Sequence, residues 1–169
     1  MQRVLVIGPC GAGKSTLATR LAGRLKLPLF HMDQLNWQPG WTESSKDEIA
    51  AKLHNIVITD RWLIDGTYGG TLAPRLERAD TVVYLDFPIN LCIRRLLKRI
   101  WTYRGHSRPD MTADCPERFD LAFLFYVVRW NSGPRLRLEQ GLIGHENKII
   151  RLRNPVELKR WMDSLAAVA

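Results

Sequence analysis

Long apolar runs are missing from this chain. No stretch approaches the ~18 consecutive apolar residues of a membrane span, although hydrophobic residues make up 46% of its 169 positions. No membrane partner is expected, and the N-terminus reads as the first strand of the fold rather than a cleavable signal, which makes the cytoplasm the expected location. Cysteine is scarce: Cys10, Cys92 and Cys115 are odd in number and form no C-x-x-C pair, which argues against a zinc site and a disulfide framework. Acidic residues are outnumbered, 17 against 25 basic ones, leaving a net charge of +8. An anionic partner is implied, and nucleic acid and a nucleoside triphosphate both qualify. Repeats, linkers and low-complexity tracts are absent as well, so the length suits one domain, 1–169.

What is present begins with Gly8-Pro9-Cys10-Gly11-Ala12-Gly13-Lys14-Ser15, a full match to G-x-x-x-x-G-K-[ST]. The apolar run Val4-Leu5-Val6-Ile7 leads in, and Leu17, Leu21, Ala22 and Leu25 lead out at helical spacing. Strand, loop and helix in that order are the context a phosphate-binding loop needs. Consecutive N–H groups must turn inward around an anion, and glycine removes the side chains that would obstruct them. The helix start adds unpaired N–H groups and about half a positive charge. Gly8 through Ser15, with Thr16 following, form the expected nucleotide-binding run. Lys14 would reach the β/γ-phosphates of ATP and the Ser15 hydroxyl would ligate Mg²⁺.

Further along, Pro28 to Met32 reads as a second strand with Asp33 at its C-terminal end, the edge at which open parallel sheets bind ligands. Asp33 could hold a substrate hydroxyl, help organise Mg²⁺ or cap a turn, and the residues alone leave these open. Gln34 to Thr42 reads as a loop whose Trp37 and Trp41 either line a pocket or anchor the loop. A helix is expected over Glu43 to about Asn55 with Thr42 as its N-cap. Arg61 to Gly66 is the third strand, and Asp65 at its end is the first choice for the acidic residue that positions Mg²⁺. A short helix is expected over Pro74 to Arg78. Thr81 to Asp86 is the fourth strand. The helix after Pro88 puts Ile89, Cys92, Ile93, Leu96, Leu97 and Ile100 toward the core, with Arg95 and Arg99 one turn apart on another face. The stretch of about 103–118, with Arg104, Gly105, Arg108 and Pro109, reads as a mobile cationic lid able to close over phosphates. Pro116-Glu117-Arg118 is expected to open another helix, with Phe119, Ala122, Phe123, Val127 and Trp130 as its core stripe. Lys148 to Leu152 is the fifth strand, and Asn154-Pro155 starts the terminal helix. The alternation predicts an α/β fold: a parallel sheet covered on both faces.

The phosphate loop does not stand alone. Together with Phe30-His31-Met32-Asp33, Trp62 to Tyr68, Leu85-Asp86-Phe87-Pro88, Arg108 to Met111 and Cys115 to Arg118, it resembles the small P-loop kinases of the adenylate kinase and shikimate kinase type, and most closely the bacterial DNA topology modulation proteins. The resemblance implies a three-layer α/β/α P-loop fold, a five-stranded parallel sheet of order 2-3-1-4-5, a small lid, and ATP with Mg²⁺. Arg95 and Arg99 are similar to the arginines before the lid of adenylate kinases, the first flanking adenine and the second meeting phosphates. Arg108 and Arg118 resemble lid arginines that contact the transferred group, and Asp65-Gly66 resembles the Asp-Gly pair linked to Mg²⁺. Arg75 resembles a substrate-side arginine. A nucleoside-monophosphate segment is not recognisable, and the Asp33 region is closer to the acceptor-binding strand end of shikimate kinases, which counts against AMP as acceptor.

The expected activity is ATP-dependent transfer of the γ-phosphate to a small molecule, with Lys14, Asp33, Arg99, Arg108 and Arg118 as the catalytic set, Arg95 on the nucleotide, and Ser15 and Asp65 on the metal. The acceptor and the oligomeric state stay open. A nucleic-acid-associated, ATP-dependent regulator is the alternative, but no helix-turn-helix, zinc-finger or RNA-binding signature supports it. A GTPase switch lacks its Asn-Lys-x-Asp signature, since Asn147-Lys148 continues with Ile149-Ile150.

Overall fold

A computed structural model describes residues 1–166. The central sheet comprises β1 (Arg3–Ile7), β2 (Leu29–His31), β5 (Trp62–Asp65), β6 (Thr81–Leu85) and β7 (Ile149–Leu152). All neighbours are parallel and their spatial order is β2-β5-β1-β6-β7. Counted among these five strands alone, that is 2-3-1-4-5, the order the resemblance implied. The helices are α1 (Lys14–Leu25), α2 (Met32–Asn36), α3 (Lys46–Val57), α4 (Leu72–Arg78), α5 (Ile89–Thr102), α6 (Leu121–Val128), α7 (Pro134–Leu142) and α8 (Pro155–Ala166). A two-stranded hairpin, β3 (Trp37–Gln38) with β4 (Thr42–Glu43), stands apart from the sheet.

Sheet strands buried on both faces read as continuous apolar runs, and their alternation divides the core in two. Leu5, Ile7, Trp62, Ile64, Val82 and Tyr84 face one cluster, completed by Ile49 and Leu53 of α3, Leu76 of α4 and Leu138 of α7. Val4, Val6, Leu63, Val83 and Leu85 face the other, completed by Leu17, Ala18 and Leu21 of α1 and by α8. Three layers result. The C-terminal ends of β1, β5 and β2 share one edge, with Val6 level with Asp65 and Asp65 level with His31.

Several boundaries differ from the sequence expectation for local reasons. Asp33 lies past the end of β2, in the first turn of α2, because the chain turns helical at Met32. The expected loop of 34–42 is the end of α2 followed by the hairpin, in which Trp37 and Trp41 meet edge to face with ring centroids 5.2 Å apart. α3 begins at Lys46: Ser45 accepts from the Glu48 N–H while the Glu48 carboxylate returns to the Ser45 N–H, a reciprocal cap that Thr42 cannot supply. α6 does not open at Pro116 but at Leu121, where the Asp120 side chain accepts from the Phe123 N–H. Its core stripe is shorter than expected, since Val127 and Trp130 are buried while Phe119 is 57% exposed. Leu97 of α5 is also turned outward.

Candidate functional site

The phosphate loop is held open by backbone geometry. Gly8, Gly11 and Gly13 all have positive φ, 141°, 84° and 96°. A Cβ on Gly8 would lie 2.5 Å from the Leu85 carbonyl oxygen and one on Gly11 2.2 Å from that of Cys92, so these two glycines are fixed by close approach as well as by φ. Thr67 braces the loop from β5's exit: its hydroxyl donates to the Gly8 carbonyl at 2.7 Å and accepts from the Gly8 N–H at 3.1 Å. Lys14 is folded onto the loop, its Nζ donating to the Pro9 carbonyl at 3.0 Å. Arg95 reaches in from α5 and donates to the Ala12 carbonyl at 3.0 Å, its guanidinium 5.6 Å from the Phe87 ring centroid. Ser15 is partly buried and Thr16 exposed at the start of α1.

The 103–118 segment is tied to itself by bridges between Arg104 and Glu117 and between Ser107 and Pro116. It rests on the β3–β4 hairpin. The Trp41 indole N–H donates to the Pro116 carbonyl at 3.0 Å, Gly40 N–H to Asp114 at 2.9 Å, and the Thr112 hydroxyl to Trp37 at 2.6 Å. This docking aims Arg108 inward, where it meets three carboxylates: Asp33 at 3.2 Å, Asp110 at 2.8 Å and Glu117 at 2.9 Å. Arg99 reaches the same Glu117 at 3.1 Å. Asp33 is also held by the Tyr68 hydroxyl, which donates at 2.7 Å. Burial and the adjacent Asp33 charge push the Tyr68 phenol far above its ordinary pKa, so it stays a donor.

Burial works against the Asp110 carboxylate, yet the Arg108 guanidinium beside it holds its pKa below the usual value. At the end of β5, Asp65 is 4% exposed and paired with His31 Nδ1 at 2.5 Å. Burial disfavours the His31 imidazolium, but the hydrogen bond and charge of Asp65, with Asp110 and Asp33 beyond, raise its pKa above the ordinary value. The structure therefore gathers Lys14, Ser15, Asp33, Asp65, Arg95, Arg99 and Arg108 at one edge of the sheet. Arg118 is not among them: its guanidinium lies over the Trp41 ring, 5.3 Å from the centroid.

Arg75 is a correction. It is fully buried, and its guanidinium donates to the carbonyls of Gly66, Thr67, Tyr68 and Thr71. It shapes the turn after β5 from behind rather than facing a substrate, and burial pushes its pKa down to about 9. Sequence reasoning also missed Asp110, Glu117, His31, Thr67 and Tyr68. The signal for the first lay beside Arg108 in the same tripeptide; for Glu117 and His31 nothing in the local spacing announces the partner.

Among the described residues no cluster of three or more His, Cys, Asp or Glu side chains could hold a metal ion. The residues at the edge suit Mg²⁺ in a different way, one hydroxyl at Ser15 and carboxylates beyond it, because Mg²⁺ keeps most of its water and shares substrate phosphates. No helix is long and apolar enough to cross a membrane among the described residues.

No family model matches the chain. Among curated proteins, shikimate kinase 1 of Yersinia enterocolitica is 28% identical over 132 residues, covering 69% of this chain and 73% of that protein. The shikimate kinase of Baumannia cicadellinicola is 29% identical over the same shares. Among solved structures, a shikimate kinase of Acinetobacter baumannii in complex with shikimate aligns over 99% of this chain and 93% of that one, with a TM-score of 0.60 at 17% identity. A shikimate kinase of Bacteroides thetaiotaomicron gives 0.58 at 16%, over 99% and 97% of the two chains. A gluconokinase of Sinorhizobium meliloti gives 0.53 at 16%, over 99% and 93%. These structural likenesses bear on the fold, and the sequence matches carry the relationship further: the chain is an ATP-dependent, kinase-like P-loop enzyme related to the shikimate kinases.

Proposed function

We propose that the chain transfers the γ-phosphate of ATP to a hydroxyl of a small molecule, with Mg²⁺ on Ser15 and, through water, on Asp65. The carrying observation is Arg108, held between Asp33, Asp110 and Glu117, with Arg99 on the same Glu117. One lid arginine thereby ties the lid to the acceptor-side carboxylate. With ATP bound, phosphate oxygens replace the Pro9 and Ala12 carbonyls as partners of Lys14 and Arg95. Arg108 and Arg99 then neutralise charge on the transferring group, a contribution worth about 10³–10⁵ in rate for an arginine of this kind. Asp33, released from Arg108, orients the acceptor hydroxyl and accepts its proton. Ser15 and, through water, Asp65 would hold Mg²⁺, whose charge would offset that of the phosphates. Arg118 takes part once the lid moves from Trp41.

The test is ADP release coupled to acceptor phosphorylation. Lys14→Ala loses transfer by at least about 10³-fold while its unfolding transition stays close to wild type, since the side-chain hydrogen bond of Lys14 among the described residues goes to the Pro9 carbonyl of its own loop. Turnover surviving in that variant would sink the mechanism.

The finer resemblance to DNA topology modulation proteins supports a second reading, ATP-dependent association with nucleic acid, and the net charge of +8 favours it. Binding to DNA that falls steeply as salt rises is its signature; no binding at low salt removes it.

A further inference from the structure

α5 and α6 leave an apolar face uncovered. Leu97 and Trp101 stand one turn apart on α5, on a different side from Arg95 and Arg99. With Ile100 and Phe119 they line a groove of about 630 Å³ between the end of α5 and the lid. Two residues past Phe119, Leu121 begins a row with Phe125 and Val128 along one side of α6, the spacing of a buried stripe. α6 packs on α5 through Leu124 and Val127, against Leu96 and Ile100, and the Leu121 row is left outward. Trp101 is 81% exposed, Leu121 71%, Phe125 58% and Val128 50%.

The area of this face is that of a protein interface. Taking about 150–250 Å² for a whole aromatic side chain and less for an aliphatic one, Leu97, Trp101, Phe119, Leu121, Phe125 and Val128 present about 400–700 Å² of apolar surface. That equals or exceeds the largest apolar patch of an ordinary monomer, about 300–600 Å². It also matches the apolar share of one side of a standard interface, about 60% of about 800 Å². α6 is apolar at all eight positions, Leu121 to Val128, the composition of a helix covered on every side.

Shape selects the occupant. Arg94 and Lys98 flank Leu97 and Trp101 on α5, Arg104 lines the groove, and the Arg129 guanidinium lies 4.6 Å from the Phe125 ring centroid. Those cations alone would suit an anionic surface or strand. A bilayer, however, is flat where the groove is concave, and base stacking would use the rings and leave Leu97, Leu121 and Val128 bare. A second copy uses all of it. Trp101 projects beside the groove that it helps to line, so knob and hole are neighbours on one surface, and a two-fold axis carries each knob to the other protomer's hole.

We propose that the α5–α6 face is the interface of a two-fold symmetric homodimer, in which Trp101 of each protomer seats in the groove between α5 and the lid of the other. The groove includes Glu117, the carboxylate that holds Arg99 and Arg108, so the second copy rests on the segment that carries arginines of the transfer site. The interface itself does not depend on the transfer reading. Each copy carries a net charge of +8, and the cations around the face meet their own image across the axis. Added salt therefore strengthens the dimer by screening. An anionic occupant responds in the opposite sense.

Sedimentation velocity on the full chain, over a concentration series at low and at high salt, tests the assignment. The expected result is a monomer–dimer equilibrium that moves toward dimer as salt rises. Trp101→Glu and, separately, Leu121→Glu weaken it by about 30-fold or more, the size of an interfacial hot spot. Ile143→Glu, at a residue as exposed as Leu121 but at the end of α7, leaves it unchanged. Melting curves followed by circular dichroism on dilute samples confirm that each variant compared is folded. Single-stranded DNA and vesicles of anionic phospholipid are the competing probes. A chain that stays monomeric throughout, a dimer that Trp101→Glu and Leu121→Glu leave intact, equal weakening by all three variants, or a dimer that salt dissociates overturns the assignment. So does binding of either anionic probe by a monomeric wild type that Trp101→Glu and Leu121→Glu both lose, which gives the face to an anionic occupant.

Discussion

His31 shows how a single side chain couples to its setting. Its ring faces Asp65 directly and Asp110 and Asp33 beyond, so its folded-state pKa lies above the ordinary value. For a raised pKa, the stabilisation is fully present below the unfolded value of about 6.5 and is lost as pH climbs through the higher folded value. In protein free of nucleotide and metal, His31→Gln should therefore cost more at pH 6 than at pH 9. A difference of about 1 kcal/mol corresponds to about 2–4 °C in melting temperature for a chain of this size. Melting curves of the two proteins across that range check it, and a gap that widens with rising pH would contradict the pairing. The sequence placed His31 next to Asp33 on a strand end but could not show Asp65 opposite, because pairing in a parallel sheet joins residues that are far apart in the chain.

The lid and hairpin form the least sequence-legible pair of elements. Strands β1, β5 and β6 and the helices that follow them were readable because a buried strand leaves an apolar run, β7 because Ile149, Ile150 and Leu152 stand just before the Asn154-Pro155 helix start, and the phosphate loop because its spacing is dictated by backbone contact with an anion. The hairpin carries no such pattern: β3 and β4 have two residues each, and their hold on the lid runs through main-chain carbonyls. Trp41 is the exception, closing the contact by its indole hydrogen bond to Pro116 and by the Arg118 guanidinium over its ring. Trp41→Ala removes both, and an exposed cation–π contact alone is worth about 0.5–1 kcal/mol. The lid of that variant should open more often. Limited proteolysis within 103–118 should then run about 5- to 30-fold faster, the factor for 1–2 kcal/mol in a local opening equilibrium. Cleavage at the wild-type rate would mean that Arg108 and its carboxylates hold the lid without help from the hairpin.

At the scale of the molecule, each cation aimed into the site already has a partner, a carboxylate for Arg99 and Arg108 and a carbonyl for Lys14 and Arg95. Arg108 is divided among Asp33, Asp110 and Glu117, Arg99 is on Glu117, and Lys14 and Arg95 borrow carbonyls of the phosphate loop. ATP brings a set of phosphate oxygens into this edge and must compete with those partners, so its binding energy is spent partly on exchanging them. Weakening one internal partner should therefore make the nucleotide bind more tightly. Glu117→Gln keeps the shape and removes the charge shared by Arg99 and Arg108. It should lower the stability of the free protein, since breaking a buried pair costs about 3–5 kcal/mol when one charge is left alone, and less where Asp33 and Asp110 remain. The same change should raise the stabilisation by ATP above that of wild type, where ligand at about 100 times its dissociation constant adds about 2.7 kcal/mol. Thermal shifts with and without ATP and Mg²⁺ measure both quantities on one sample. A variant less stable when free yet gaining more from nucleotide supports competition between Glu117 and phosphate for the two arginines. A smaller gain than wild type would mean that Glu117 instead holds Arg99 and Arg108 in place for the phosphates.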